Sequence, residues 1–320
     1  MSDKPTWTRL HVGTLLLMAL LAFCAGIWLS DPYWASLIVS TAITLVLTMS
    51  MNLINGTSGQ FTLSHAAFFG LGAYVSAICA QQLGISPWFC LPLSIVAAGF
   101  AALVIGVPIL RLQGYYLATG TLAFALIVEI VVRQSPLLGG PLGFQDLPKL
   151  QVFNVALTGA GYVPVAVIAT LLVYIVIRNL VHSPLGRAIV ATRDDPPAAA
   201  AAGISVTRTR LTAFVIGTAL AAVAGWMDAF YLRNLSPQLF GADLTFKWML
   251  IMLIGGIGKL PGVIVSTILL SLAPELLGIA AMQQVLALGI LMILVVMFAP
   301  RGIGGLIDDM HRRSTSGSVA

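Results

Sequence analysis

Charge is what this sequence has least of. Asp, Glu, Lys and Arg make up 8% of its 320 residues, against 59% hydrophobic residues and a mean hydropathy of +1.00. A soluble domain carries roughly a quarter charged residues. This chain cannot cover itself with a water-facing surface, so the bilayer must be its solvent. Cysteine is scarce too: Cys24, Cys79 and Cys90 lie in or beside apolar runs with no CxxC pair, which argues against a zinc or redox centre. His11, His65, His182 and His311 include no pair at metal-ligand spacing. A phosphate loop is also missing. In "LIGGIGKLPG", Leu253 stands where GxxxxGK[ST] needs its first glycine, and Leu260 follows Lys259 in place of Ser or Thr. Tight glycine packing is the better reading of that segment, and a membrane-embedded enzyme is the weakest reading of the whole chain.

Long apolar runs are what the sequence does have. A hydrocarbon core of ~30 Å takes about 20 helical residues. Such runs fall near 12–29, 35–54, 66–80, 87–110, 115–132, 162–180, 211–232, 263–279 and 284–299, with a shorter one at 244–258. They are continuously apolar rather than alternating, so they read as helices and not as barrel strands. The expected fold is an all-α integral membrane bundle of about ten transmembrane helices, as one domain over 1–310 with a polar tail at 311–320. The runs at 66–80 and 244–258 are short, and either suits a broken or re-entrant segment. The first run follows Lys4 and Arg9 as a signal core would, but Phe23 sits where a cleavage site needs a small residue. It reads as a retained span. With ten spans, Lys4, Arg9, Arg111, the loop 182–210 and Arg301, Arg312 and Arg313 share one side. Basic residues concentrate on the cytoplasmic side, which puts both termini there.

One stretch breaks the apolar pattern. "NGTSGQFTLSHAAFFGLGAY", residues 55–74, combines Gly56, Gly59, Gly70 and Gly72 with a cluster of polar side chains. Irregular backbone at membrane depth is tolerated where protein or a water-filled cavity satisfies it. Transporters line their substrate path with such interrupted segments, often once in each half of the chain, and the counterpart here is 255–262. Close helix packing through small residues is the competing explanation. Asn52, Asn55, Gln60, Ser64 and His65 weigh towards a role in or beside a pathway. Glu129 and Arg133, four apart near a helix end, suit a surface ion pair. Asp228, in "AGWMDAFYLRN", is the one deep carboxylate, a pathway candidate by default unless it reaches the outer interface or pairs with Arg233.

Two loops stand out. Residues 133–161 form a Pro- and Gly-rich external segment, while 182–210 is the longest hydrophilic stretch in the chain. Within the latter, Asp195 is a good N-cap, Pro196 suits the first helical position, Ala198–Ala202 are strong helix formers and Gly203 stops the helix. One to two turns of alanine helix are marginal in water. Such a helix makes sense where something docks on it.

These residues resemble a known family. "MNLINGTSGQFTLSHAAFFGLGAY" is similar to the "LNLxxGyxGQxSLGHAaFfgiGAY" signature of permease subunits of bacterial branched-chain amino acid ABC importers. "LRLQGYYLATGTLAFALI", "SPLGRAIVATRDDPPAAAAAGISVTRTRLTAF", "LIGGIGKLPG" and "FAPRGIGGL" continue the likeness in order over most of 45–306, and the type resembled is LivM. The resemblance implies a multi-pass protein of the bacterial inner membrane. It implies as partners a second related permease, two cytoplasmic ATPases and a periplasmic binding protein, with no nucleic acid. ATP and Mg would sit on the ATPases, and this chain would bind no cofactor or metal. The 182–210 loop then corresponds to the coupling loop that docks on an ATPase, with Arg187, Arg193, Asp195, Ala198, Ala199 and Gly203 at the matching positions. Three departures leave the solute open among branched-chain amino acids, urea, amides and aromatic acids. Pro196 replaces an acidic residue, Leu126 a polar one, and "GKLPGVIVSTI" lacks the usual proline and Gly-Ala pair. The competing class is a self-sufficient secondary transporter or channel, for which Asp228 would be the coupling carboxylate.

Overall fold

The computed structural model describes residues 32–112, 114–152, 155–276 and 302–305, and positions 286, 289, 290, 293 and 297. The expected span at 12–29, nearly all of that at 284–299 and the polar tail lie outside the described residues. Within them the regular structure is helical apart from a ribbon of two two-residue strands, β1 (Gln151–Val152) against β2 (Val155–Ala156), and an isolated bridge between Phe144 and Leu235. Helix α1 (Pro32–Met51) continues through a π-turn to Thr57, three residues past the expected end. It is followed by α2 (His65–Gln81), α3 (Pro87–Ile109), α4 (Tyr115–Gln134) and α5 (Val163–His182). After these come α6 (Pro184–Asp194), α7 (Pro196–Ala201), α8 (Val206–Leu232), α9 (Ala242–Gly255) and α10 (Leu260–Leu276). Among the described residues five segments, Pro32–Thr57, Pro87–Ile109, Tyr115–Gln134, Gly159–His182 and Val206–Leu232, are long and apolar enough to cross a membrane. The chain is an all-α multi-pass membrane protein.

Small residues decide which helices sit at the centre. α8 lies against α2 so closely that a Cβ on Gly72 would fall 2.5 Å from the Ala222 Cα, and one on Gly225 2.7 Å from the Ala73 nitrogen. Lipid tails offer no hydrophobic drive for helices to associate, so van der Waals contact between close backbones takes its place. Trp226 anchors the other side of α8 by donating from Nε1 to the Pro87 carbonyl at 2.8 Å.

The polar contacts sort to two ends. At the ribbon end, Gln81 Nε2 donates to Gln145 O (3.1 Å), Trp88 Nε1 to Gln151 O (2.8 Å) and Arg233 Nε to Leu147 O (2.7 Å). At the opposite end lie α6, α7 and the junctions between α1 and α2 and between α9 and α10. The short helix α9 does not start at the ribbon end. After α8 the chain turns back, and Phe240 packs under Gly70, where a Cβ would lie 2.7 Å from its ring. Gly70 is about eleven residues, or roughly 16 Å, down α2 from Gln81. α9 therefore begins part-way through the bundle, the interrupted form its short apolar run suggested.

Candidate functional site

Much of the polar stretch hydrogen-bonds to backbone. Beyond the π-turn Asn52–Thr57, Gly59 takes φ +68° and the chain runs back along α1 without helical structure until His65. Asn55 replaces the missing ladder partner: its Nδ2 donates to Thr62 O (3.1 Å), and its Oδ1 accepts from Thr62 N (3.3 Å) and Thr62 Oγ1 (2.9 Å). Leu63 N donates to Thr121 Oγ1 (2.9 Å) and Ala66 N to Thr245 Oγ1 (3.0 Å). His65 Nε2 bonds Ser50 Oγ at 2.8 Å, and Gln60 Nε2 donates to Arg210 O at 2.9 Å. Asn52, Asn55, Gln60, Ser64 and His65 are each at most 7% exposed. In this chain they are buried among protein groups, and their hydrogen bonds offset much of the cost of polar groups in an apolar interior, although Gln60 Oε1 has no partner among the described residues.

The second glycine segment meets the first. Gly256 and Gly258 have φ of +105° and +76°, which lets the chain turn between α9 and α10. Gly258 N donates to Asn52 Oδ1 at 2.8 Å, and a Cβ on Gly56 would sit 2.5 Å from that same nitrogen. Gly302 packs on Gly256, where a Cβ would lie 2.6 Å from its Cα. Arg193, from α6, enters the same spot: its Nη1 donates to Gly56 O at 2.7 Å. The two interrupted segments, about 200 residues apart, thus form one junction with the hydrophilic loop. Cationic donors belong at the carbonyl end of a helix.

A family model described as a branched-chain amino acid transport system permease component matches residues 33–299. The chain belongs to that family. The permease is 33% identical to the high-affinity branched-chain amino acid transport system permease protein LivM of Salmonella typhimurium, with 90% of this chain and 74% of the relative covered. LivM of Escherichia coli K12 is also 33% identical, with 82% and 68% covered. The permease protein BraD of Pseudomonas aeruginosa is 26% identical, with 81% and 91% covered. No solved structure matches the permease.

The hydrophilic loop of the permease holds more structure than its composition suggested. Asp195 Oδ1 caps α7 by accepting from Ala198 N at 3.0 Å. Gly203, at φ +83°, closes the helix: its N–H donates to Ala200 O and that of Ile204 to Ala199 O, each at 3.0 Å. This is the paired bonding of a Schellman ending. α6 precedes it, eleven residues that the sequence reading passed over. The signal was present in Ser183-Pro184, an N-cap and first-turn proline, and Ser183 Oγ accepts from Gly186 N at 3.1 Å. Asp195 and Ala198 are exposed, as are Arg187, which reaches only its own loop at His182 O (3.3 Å), and Gly203. Ala199 points inward, 5% exposed.

Asp228 is 9% exposed and does not pair with Arg233, which binds Asp146 and Leu147 O instead. Asp228 Oδ2 has no hydrogen-bond partner among the described residues. Glu129 and Arg133 do form the expected surface pair, at 2.9 Å. α9 is a source of polar groups that the sequence reading did not single out. Asp243, Phe246 and Lys247 are exposed on this half-depth helix. Among the described residues neither Asp243 nor Lys247 makes an ion pair. Their signal was an acid and a lysine four apart beside a short apolar run, the helical spacing of one face.

Proposed function

We propose that the permease is half of the membrane pathway of an ATP-driven importer for branched-chain amino acids. In this reading the loop end faces the cytoplasm, where two ATPases carry ATP and Mg, and the ribbon end faces a periplasmic binding protein in the bacterial inner membrane. A second related permease would supply the other half of the pathway. The observation that carries the reading is the family match over 33–299, joined to a capped helix presented where basic residues gather. The full set of about ten spans, with both termini cytoplasmic, belongs to the same proposal.

The uncovered face of α9 is our choice for the pathway surface. Charged side chains at bundle depth are costly against lipid, and a zwitterionic solute brings one charge of each sign. Asp243 and Lys247 would face it or the second permease, while Asn52, Asn55, Gln60, Ser64 and His65 would hold the neighbouring backbone in place. Asp228 has no role in this reading. A cysteine at Lys247 should react with small water-soluble thiol reagents in the assembled complex, and one at Asn55 should not. Labelling of Lys247→Cys by lipid-soluble reagents alone would sink the pathway assignment.

The coupling assignment has its own test. Gly203→Val forces a β-branched residue into positive φ, and Ala198→Trp adds bulk on the exposed face of α7. Both should leave the protein inserted and paired with its partner permease. Co-purification of the ATPases and leucine uptake in reconstituted vesicles should fall together. Normal ATPase retention and full uptake in both variants would exclude α7 as the docking element. A self-sufficient transporter would take up leucine without any ATPase present.

A further inference from the structure

The Arg193 position on α6 would ordinarily be read as part of the surface offered to an ATPase, yet its side chain turns the other way. The side chain is 38% exposed and its Nε lies 4.0 Å from the exposed Asp194 carboxylate, but its hydrogen bond is to the membrane-embedded part. Nη1 reaches Gly56 O at 2.7 Å. A Cβ on Gly59 would lie 2.8 Å from Arg193 Cγ, and one on Gly258 2.9 Å from Nη1. Gly59 and Gly258 therefore make the slot through which the side chain passes, with the Gly56 carbonyl at its end. Both hold positive φ at the two interruptions. A second strand of contacts runs beside the first: Arg210 Nη2 donates to Thr192 O (3.4 Å), and Gln60 binds Arg210 O (2.9 Å). Asp195, two residues beyond Arg193, caps α7.

We infer that Arg193 is a positioning residue that ties the α6–α7 loop to both glycine interruptions, so that displacement of the loop moves the α1–α2 and α9–α10 junctions together. The physical basis is stiffness of different parts. α6 and α7 are closed by caps, whereas the junctions turn on glycines at φ that other residues adopt at a cost. A push on a rigid loop is taken up at such turns, and the guanidinium bridges the two. The inference rests on the importer reading, since it needs an ATPase to move the loop. It goes beyond that reading by separating docking from transmission within one loop.

The test uses the complete importer with an environment-sensitive fluorophore on Ile257→Cys, an exposed position in the α9–α10 turn, after replacement of the native cysteines. ATP with vanadate should shift the fluorophore signal in the otherwise unaltered complex. Arg193→Ala should reduce that shift at least fivefold while the ATPases stay bound and hydrolyse ATP within about twofold of the parent rate. Gly258→Ala, which pushes a methyl towards Nη1, should do the same, and Arg193→Lys should keep at least half of the shift. Hydrolysis without the shift is what a merely structural arginine would not produce. An unchanged shift in Arg193→Ala overturns the inference, as does loss of the ATPases from that variant, which would make Arg193 a docking residue. A parent complex whose ATPases bind but whose signal does not move also overturns it. Failure of the parent to retain ATPases at all would overturn the importer reading as well.

Discussion

Helices α3 and α8 invert the rule for water-soluble proteins. α3 is the more apolar of the two, with no charged residue, and yet 28% of its membrane-length window is buried; α8 carries glycines, threonines and an aspartate, and 83% of its window is buried. Val96 and Phe100 of α3 are 68% and 69% exposed, while Thr218, Gly225 and Asp228 of α8 are buried. In lipid, apolar side chains gain little by leaving their surroundings, so polar and small residues collect inside. Between these two helices, burial marks close backbone approach rather than hydrophobicity.

The contrast can be broken most severely where backbones touch. Gly225→Leu should abolish folded permease in the membrane, because its Cβ would meet the Ala73 amide and no flexible side chain can give way. A fluorescence-detected gel-filtration profile with no monodisperse peak is the expected result. Asn55→Leu should cost less. It strips Thr62 N, Oγ1 and O of their Asn55 partners, and each buried group left unsatisfied costs about 1–3 kcal/mol, seen as a lowered Tm with insertion intact. Asp228→Asn keeps shape and removes a buried carboxylate with no role in the proposed pathway, so uptake should stay within about threefold, an effect under ~1 kcal/mol. A hundredfold loss would place Asp228 in the solute's path and favour a proton-coupled mechanism. The mildest change is Val96→Ala on the exposed face of α3, with a stability change of about 0.5 kcal/mol or less. A large loss there would identify that face as buried against the second permease.

Much of the bundle was legible in one dimension. The apolar runs at 87–110 and 162–180 became α3 and α5 within a residue or two at each end, since a continuous apolar run can be nothing but a helix in lipid. Asp195 and Gly203 were equally legible, because caps act over three or four neighbouring residues. The purpose of Asn55, Gln60 and His65 was not. Their partners are Thr62, Arg210 and Ser50, and a polar side chain in a transporter looks the same whether it faces water or a carbonyl. Arg233 had two acids to choose from, Asp228 five residues away and Asp146 in a distant loop, and the fold brought the distant one.

By itself, then, the sequence determined the solvent, the helical architecture, the interrupted segments and the capped loop. Each is set by composition or by contacts a few residues long. Tertiary structure alone decided that the two interruptions meet, that the partly exposed Arg193 hydrogen-bonds to one of them at Gly56 O, and that α9 starts part-way through the bundle with Asp243 and Lys247 uncovered. The reason is that a hydrogen bond between Asn52 and Gly258 has no local trace, since each partner could satisfy itself in other ways until close packing left one arrangement with its amides paired.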